Sequence, residues 1–140
     1  GGTMLARGIG EVLTPLPALP RTAIVLVKPP FSVSTPSVYK KIDSTELKRR
    51  PDAALLTSAL TQRDVGLLAA NMVNVMEEVT VSMHPVVGRI KQDLLNSGAL
   101  GALMSGSGPS VFALFDSYEQ AKKAAAPFRK RFFTYVGWTR

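Results

Sequence analysis

The stretch from Gly98 to Ser110 (GALGALMSGSGPS) gathers residue types that bind anions. Gly106 and Gly108 flank Ser107 and allow the backbone positive φ. Successive amide N–H groups in such a turn can converge into an anion-binding nest. Ser105, Ser107 and Ser110 add hydroxyl donors suited to phosphate oxygens. No Gly-Lys-Ser/Thr follows, so this is not a Walker A loop, and no GxGxxG opens a helix, so it is not a dinucleotide fingerprint. Local physics leaves a second reading open, a glycine-rich hairpin turn between two strands.

Other polar residues have plainer readings. The chain has no cysteine and one histidine, His84. This excludes a disulfide scaffold, a thiolate zinc site, a Cys nucleophile and a His-rich metal site. His84 precedes Pro85 at a helix start and reads as structural or exposed. Glu77 and Glu78 are adjacent and diverge on a helix, which suits a solvated face or a local hydrogen bond better than acid–base work. Asn71 and Asn74 read either as helix anchors or as contacts to the glycine loop or a substrate. Lys48-Arg49-Arg50, Lys122-Lys123 and Arg129-Lys130-Arg131 read as solvated faces. Trp138 reads as a partly buried strand-end residue.

The elements that must position these groups follow from punctuation and periodicity. Thr3–Ala6 and Val12-Leu13 flank a turn at Arg7–Glu11, which suits a hairpin. Pro15, Pro17 and Pro20 then impose an extended linker. Thr22–Val27 is a continuous apolar, β-branched run bounded by prolines and reads as a buried central strand. Ser34 or Thr35 can cap a helix over Ser37–Ile42 with Pro36 at its first position. Residues 43–51 read as a loop. Over residues 52–97, apolar side chains recur at spacings of three and four, which predicts helices. Residues 79–83 are ambiguous; Pro85 starts a further helix and Gly98 closes it. Ala99–Met104 and Val111–Phe115 read as strands, Tyr118–Lys130 as a helix capped by Asp116 or Ser117, and Phe132–Trp138 as a last strand. The resulting fold class is α+β: a ferredoxin-like βαββαβ antiparallel sheet with helices on one face and extra helices in the first crossover.

Length and composition agree. The 140 residues suit one principal domain, with 46% hydrophobic and 19% charged residues. No apolar run reaches the ~18 residues needed to span a bilayer, and no secretory signal is visible, so a cytosolic location is expected. Lys plus Arg is 17 against 10 for Asp plus Glu, a net charge of +7 that favours anionic partners.

The glycine-rich stretch resembles the third motif of the GHMP small-molecule kinases. Further segments narrow the resemblance: Arg7-Gly8-Ile9-Gly10-Glu11 followed by Leu13–Pro17, Val27-Lys28-Pro29-Pro30 with Val33-Ser34-Thr35 and Val38-Tyr39, and Asn71–Glu77. In order, these resemble the second half of the bacterial 4-diphosphocytidyl-2-C-methyl-D-erythritol kinases. The resemblance implies a phosphotransferase that moves the γ-phosphoryl of ATP, with Mg²⁺, to the 2-hydroxyl of a cytidine-diphosphate-linked methylerythritol in non-mevalonate isoprenoid synthesis. It implies residues 1–20 as a hairpin and linker left from an N-terminal catalytic domain and residues 21–140 as the C-terminal domain. The family's catalytic Lys and Asp and its ATP phosphate loop find no counterpart, so no catalytic residue is expected in this chain. Its partner is expected to be the missing catalytic domain, and the chain alone is expected to be inactive. The Gly1-Gly2 start without Met agrees with a break in a longer chain. The resemblance places Ser105, Gly106, Ser107, Gly108 and Ser110 beside the transferring phosphate and Gly1, Gly2 and Thr3 near the substrate. Ser32 stands where Gly is frequent and Ser110 where Thr is frequent.

Two other function classes remain in view. A basic ferredoxin-like domain can bind nucleic acid, given exposed aromatics on its sheet. Phe112 does not supply them, because its wholly apolar strand should be buried. A small-ligand regulatory domain would bind an effector at the glycine loop without turnover. The kinase reading needs neither nucleic acid nor membrane.

Overall fold

Two contiguous apolar runs form the centre of the fold. They are β1 (Ala23–Lys28) and β3 (Val111–Phe115), paired antiparallel with Val25 opposite Ala113. β2 (Gly101–Met104) pairs with β3, and β4 (Phe133–Trp138) pairs with the other side of β1, both antiparallel. The sheet order is β2-β3-β1-β4, the strand order of a ferredoxin-like sandwich. These observations come from a computed structural model that describes residues 20–43 and 51–139. The expected hairpin and most of the linker, Gly1, Gly2 and Thr3, and the Lys48-Arg49-Arg50 cluster lie outside the described residues.

Six helices connect the described strands. They are α1 (Thr35–Asp43), α2 (Ala53–Thr61), α3 (Val65–Asn71), α4 (Glu77–Met83), α5 (Pro85–Asn96) and α6 (Tyr118–Ala125). Their ends obey local chemistry. Asp52 and Asp64 cap α2 and α3 by accepting from Leu55 N–H and Leu67 N–H, and Ser117 caps α6 by accepting from Gln120 N–H. Gly98, at φ 98°, closes α5: its N–H reaches Leu95 O while Ala99 N–H reaches Leu94 O, the paired bonds of a Schellman end.

Several boundaries differ from the sequence expectation. The helix expected over Tyr118–Lys130 stops at Ala125 and tightens into a 3₁₀ turn over Ala126–Phe128. Pro127 has no N–H to continue the ladder. The ambiguous residues 79–83 are helical and belong to α4. The helical pattern is interrupted between α3 and α4, where Asn74 Oδ1 accepts from Met76 N–H at 3.0 Å. A short polar side chain that bonds its own backbone competes with the helix there.

Coverage of the sheet is the main correction. The two crossover helices α5 and α6 share one face, as expected, with Val25, Val27, Ala102, Met104, Val111, Ala113 and Phe115 in one core cluster. The extra helices α2 and α3 lie on the opposite face, where Leu56, Leu60 and Leu68 pack on Ile24, Leu103, Phe112 and Leu114. Helices therefore cover both faces. Strands alternate side chains between faces, so a strand buried throughout requires two covers. β3 is such a strand, with all five residues buried. On edge strand β4 the covering thins, and Phe133 and Tyr135 are exposed.

Candidate functional site: a braced glycine loop

Ser105 to Ser110 connect β2 to β3 at one end of the sheet. Ser105 N–H donates to Ser110 O at 2.8 Å, and Gly108 N–H donates to Ser105 O at 2.9 Å, closing the turn. Gly106 and Gly108 adopt φ of 56° and 92°, as the sequence required. Gly108 has a second reason to be glycine. A Cβ there would meet Met104 Sδ at 2.8 Å and Thr80 Cγ2 at 3.1 Å.

The loop forms one wall of an open cleft of about 340 Å³. The opposite wall is Lys28, Phe31, Ser32 and Val33, the segment that leaves β1. Pro29 and Pro30 end β1 and turn the chain, with Phe31 N–H donating to Pro29 O at 3.0 Å. Phe31 rests on the ring of His84, centroids 4.6 Å apart, so His84 has the structural role expected of it. Thr35 Oγ1, at the start of α1, lies 2.8 Å from Ser107 Oγ and joins the walls. Among the described residues, Lys28 is the one charged side chain lining the cleft, and no carboxylate lines it. Hydroxyls, loop amides and an ammonium group give it a donor-rich character suited to an anion.

Of the residues singled out from the sequence, the structure brings Ser105, Gly106, Ser107, Gly108 and Ser110 together around this cleft. Ser110 is the most enclosed, at 5% exposure. The segment is a hairpin turn between β2 and β3, and it also lines a cleft.

Behind the loop is a layer of polar contacts. Asn74 Nδ2 donates to Met104 O at 2.8 Å and to Gly106 O at 2.7 Å. Thr80 Oγ1, fully buried, donates to Ser107 O at 2.9 Å. Glu77 Oε1 accepts from Met104 N–H at 2.9 Å, and its Oε2 pairs with Lys91 Nζ at 2.6 Å. The two Asn readings thus divide between the two residues. Asn71 anchors its own helix by donating to Leu67 O, whereas Asn74 reaches the loop. Glu77 is not on a solvated face; it ties α4 and α5 to the end of β2. Lys28, Thr35 and Thr80 were not identified from the sequence as site residues. For Thr80, at a helical position 27 residues from Ser107, no local pattern signals the contact.

Elsewhere the plain readings stand. Lys122, Lys123, Arg129, Lys130 and Arg131 are exposed. Trp138, 42% exposed, stacks on Tyr118 with centroids 5.5 Å apart and carries Arg21 over its ring. Phe112 is 1% exposed and cannot stack on a base. Among the described residues no group of three or more His, Cys, Asp or Glu could hold a metal ion, and no helix is long and apolar enough to cross a membrane.

The sequence model for the family "GHMP kinases C terminal" matches residues 56–133, which include the loop and every residue that braces it from behind. The chain belongs to this family. Among relatives of this GHMP domain, 4-diphosphocytidyl-2-C-methyl-D-erythritol kinase of Acetivibrio thermocellus is 50% identical over 121 residues, covering 86% of this chain and 43% of that protein. The enzyme of the same name from Lachnoclostridium phytofermentans is 46% identical over 137 residues, covering 94% and 47%. The GHMP chain thus spans less than half the length of these relatives. Its fold matches a crystal structure of 4-(cytidine 5'-diphospho)-2C-methyl-D-erythritol kinase with a TM-score of 0.69 at 24% identity, over 87% of this chain and 44% of that one. Homoserine kinase from Cytophaga hutchinsonii matches with a TM-score of 0.65 at 25% identity, over 90% and 43%.

Proposed function

We propose that this chain is the C-terminal domain of a 4-diphosphocytidyl-2-C-methyl-D-erythritol kinase. The complete enzyme would transfer the γ-phosphoryl of MgATP to the 2-hydroxyl of the cytidylated methylerythritol, a step of non-mevalonate isoprenoid synthesis in the bacterial cytoplasm. The observation that carries the reading is 46–50% identity to enzymes of that name across nearly the whole chain. The cleft is consistent with a share in this chemistry. Phosphoryl transfer depends on positioning and on stabilising charge spread over phosphate oxygens. The Gly106 and Ser107 amides, the Ser105 and Ser107 hydroxyls and the Lys28 ammonium are donors of the required kind at one place. ATP supplies the phosphoryl group. Mg²⁺ would accompany the ATP in the complete enzyme, and no step is routed through it here. The catalytic base and the ATP loop are assigned to the N-terminal catalytic domain, with Gly1 to Thr3 leading from it.

The test is ADP release with MgATP and the cytidylated methylerythritol. We expect no turnover from these 140 residues alone, and turnover when an N-terminal half from a relative is supplied. Turnover by this chain alone would overturn the division of labour. A cleft that binds an effector, with no turnover even beside a catalytic half, would favour the regulatory reading.

A further inference from the structure

A loop can bind phosphate only if its amides, not its carbonyls, face the ligand. Glycine leaves that choice open. Gly106 has nothing within 4 Å of a would-be Cβ, so sterics at this residue do not prevent the peptide between Gly106 and Ser107 from flipping. A flipped peptide would aim a carbonyl oxygen at the anion.

The contacts behind the loop remove this freedom. In a trans peptide the C=O and the following N–H point in opposite directions. Asn74 Nδ2 holds Gly106 O at 2.7 Å, which turns Ser107 N–H away from Asn74. The Asn74 amide cannot rotate to offer its oxygen instead, because Oδ1 already accepts from Met76 N–H. Thr80 Oγ1 holds Ser107 O at 2.9 Å, fixing the next peptide. Ser105 O accepts from Gly108 N–H, which turns Gly106 N–H to the other side. The outcome is selective. Ser105 N–H and Gly108 N–H are used within the turn, whereas Gly106 N–H and Ser107 N–H have no protein acceptor among the described residues.

We propose that Asn74 and Thr80 are the positioning residues of this site. Asn74 holds Gly106 O on the helix side and so turns Ser107 N–H to the cleft; Thr80 holds Ser107 O and with it the peptide whose Gly108 N–H fixes Ser105 O, which turns Gly106 N–H the same way, so that two neighbouring amides are presented to a phosphate group. The inference rests on the reading of the loop as a phosphate site and adds what orients it. Neither residue touches the ligand. Thr80 is fully buried, so its effect must pass through the peptide it holds.

The experiment titrates the 140-residue chain with inorganic pyrophosphate while recording ¹H–¹⁵N spectra. In the unsubstituted chain the Gly106 and Ser107 amide protons are expected to move downfield as they acquire an acceptor. Thr80→Val keeps the buried shape and removes the donor; the affinity is expected to fall about five- to tenfold, the scale of one hydrogen bond. Thr80→Ser restores the hydroxyl and is expected to stay within about twofold of the original. Asn74→Ala removes two donations and is expected to cost more than about tenfold. If Asn74→Ala does not fold, the Thr80 pair decides. A merely structural role predicts lower stability in Thr80→Val with the affinity and the two amide shifts unchanged, and that result overturns the proposal. Absence of shifts in the unsubstituted chain is a different failure: it removes the phosphate reading of the loop and this inference with it.

Discussion

An alanine at position 101 measures how closely α3 rides on the sheet. Gly101 is buried in β2, and a Cβ there would run against the Ala69 carbonyl, coming 2.6 Å from its carbon and 2.9 Å from the Ala69 Cβ. Carbon atoms in van der Waals contact sit about 3.5–4.0 Å apart. α3 would have to withdraw by about 1 Å, and it cannot yield through a flexible side chain because the obstacle is backbone. Leu68 and Ala69 of the same helix are nearly fully buried, so withdrawal loosens the second core cluster. Overpacking of this kind costs about 1–3 kcal/mol and occasionally more; with a backbone obstacle we expect about 3 kcal/mol. Gly106→Ala is the control. It places an L-residue at φ 56° with open space around it, at a cost of about 1 kcal/mol. Arg63 already adopts φ 56° in this chain. Urea unfolding of the 140-residue chain, compared at matched m-values, reads both. The expected order is Gly101→Ala far below Gly106→Ala. Equal losses, or the reverse order, would refute the argument that close approach, and not backbone conformation, makes Gly101 a glycine.

Further predictions use the same assay. Glu77→Gln keeps an acceptor for Met104 N–H and loses the charge pair with Lys91, so it is expected to cost about 1 kcal/mol, whereas Glu77→Ala leaves that N–H without its acceptor and is expected to cost about 2–3 kcal/mol; equal losses would show that the hydrogen bond to the end of β2 carries no weight. Phe112→Ala is expected to cost about 3–5 kcal/mol as a core truncation. A base-stacking Phe112 would instead leave stability nearly unchanged and weaken RNA binding, so measuring both decides whether Phe112 has that role. Asp64→Ala removes the cap of α3 and is expected to cost about 1 kcal/mol; no loss would mean that tertiary packing alone holds that end of the helix.

Much of this molecule was legible before its structure, and for local reasons. The strands β1 and β3 announce themselves as contiguous apolar runs between prolines, glycines and serines. Ser117 and Gly98 mark helix ends through side-chain or φ chemistry that acts within four residues. The glycine loop was recognisable because positive φ and donor density are properties of its own residues. Even the cover on both faces had a signal. Val111–Phe115 shows no alternation, and an unbroken apolar strand is one with two buried faces. Helices on one face did not follow from that pattern.

Tertiary structure decided what faces what. Asn74 and Thr80 lie 27 to 32 residues from the carbonyls they hold. Asn74 read equally as a helix anchor or as a contact to the glycine loop or a substrate, and Thr80 lies in the stretch 79–83 whose pattern was ambiguous. The Lys28 and Ser32 wall meets the Ser105–Ser110 wall only because β1 and β3 pair antiparallel, which brings the end of one to the start of the other. The sequence by itself determined most of the elements, several of their ends and the glycine-rich turn, because propensity, capping and glycine conformation act over a few residues. Which carbonyls are restrained, and therefore which amides remain to face the cleft, depends on hydrogen bonds between segments that become neighbours only when the sheet forms.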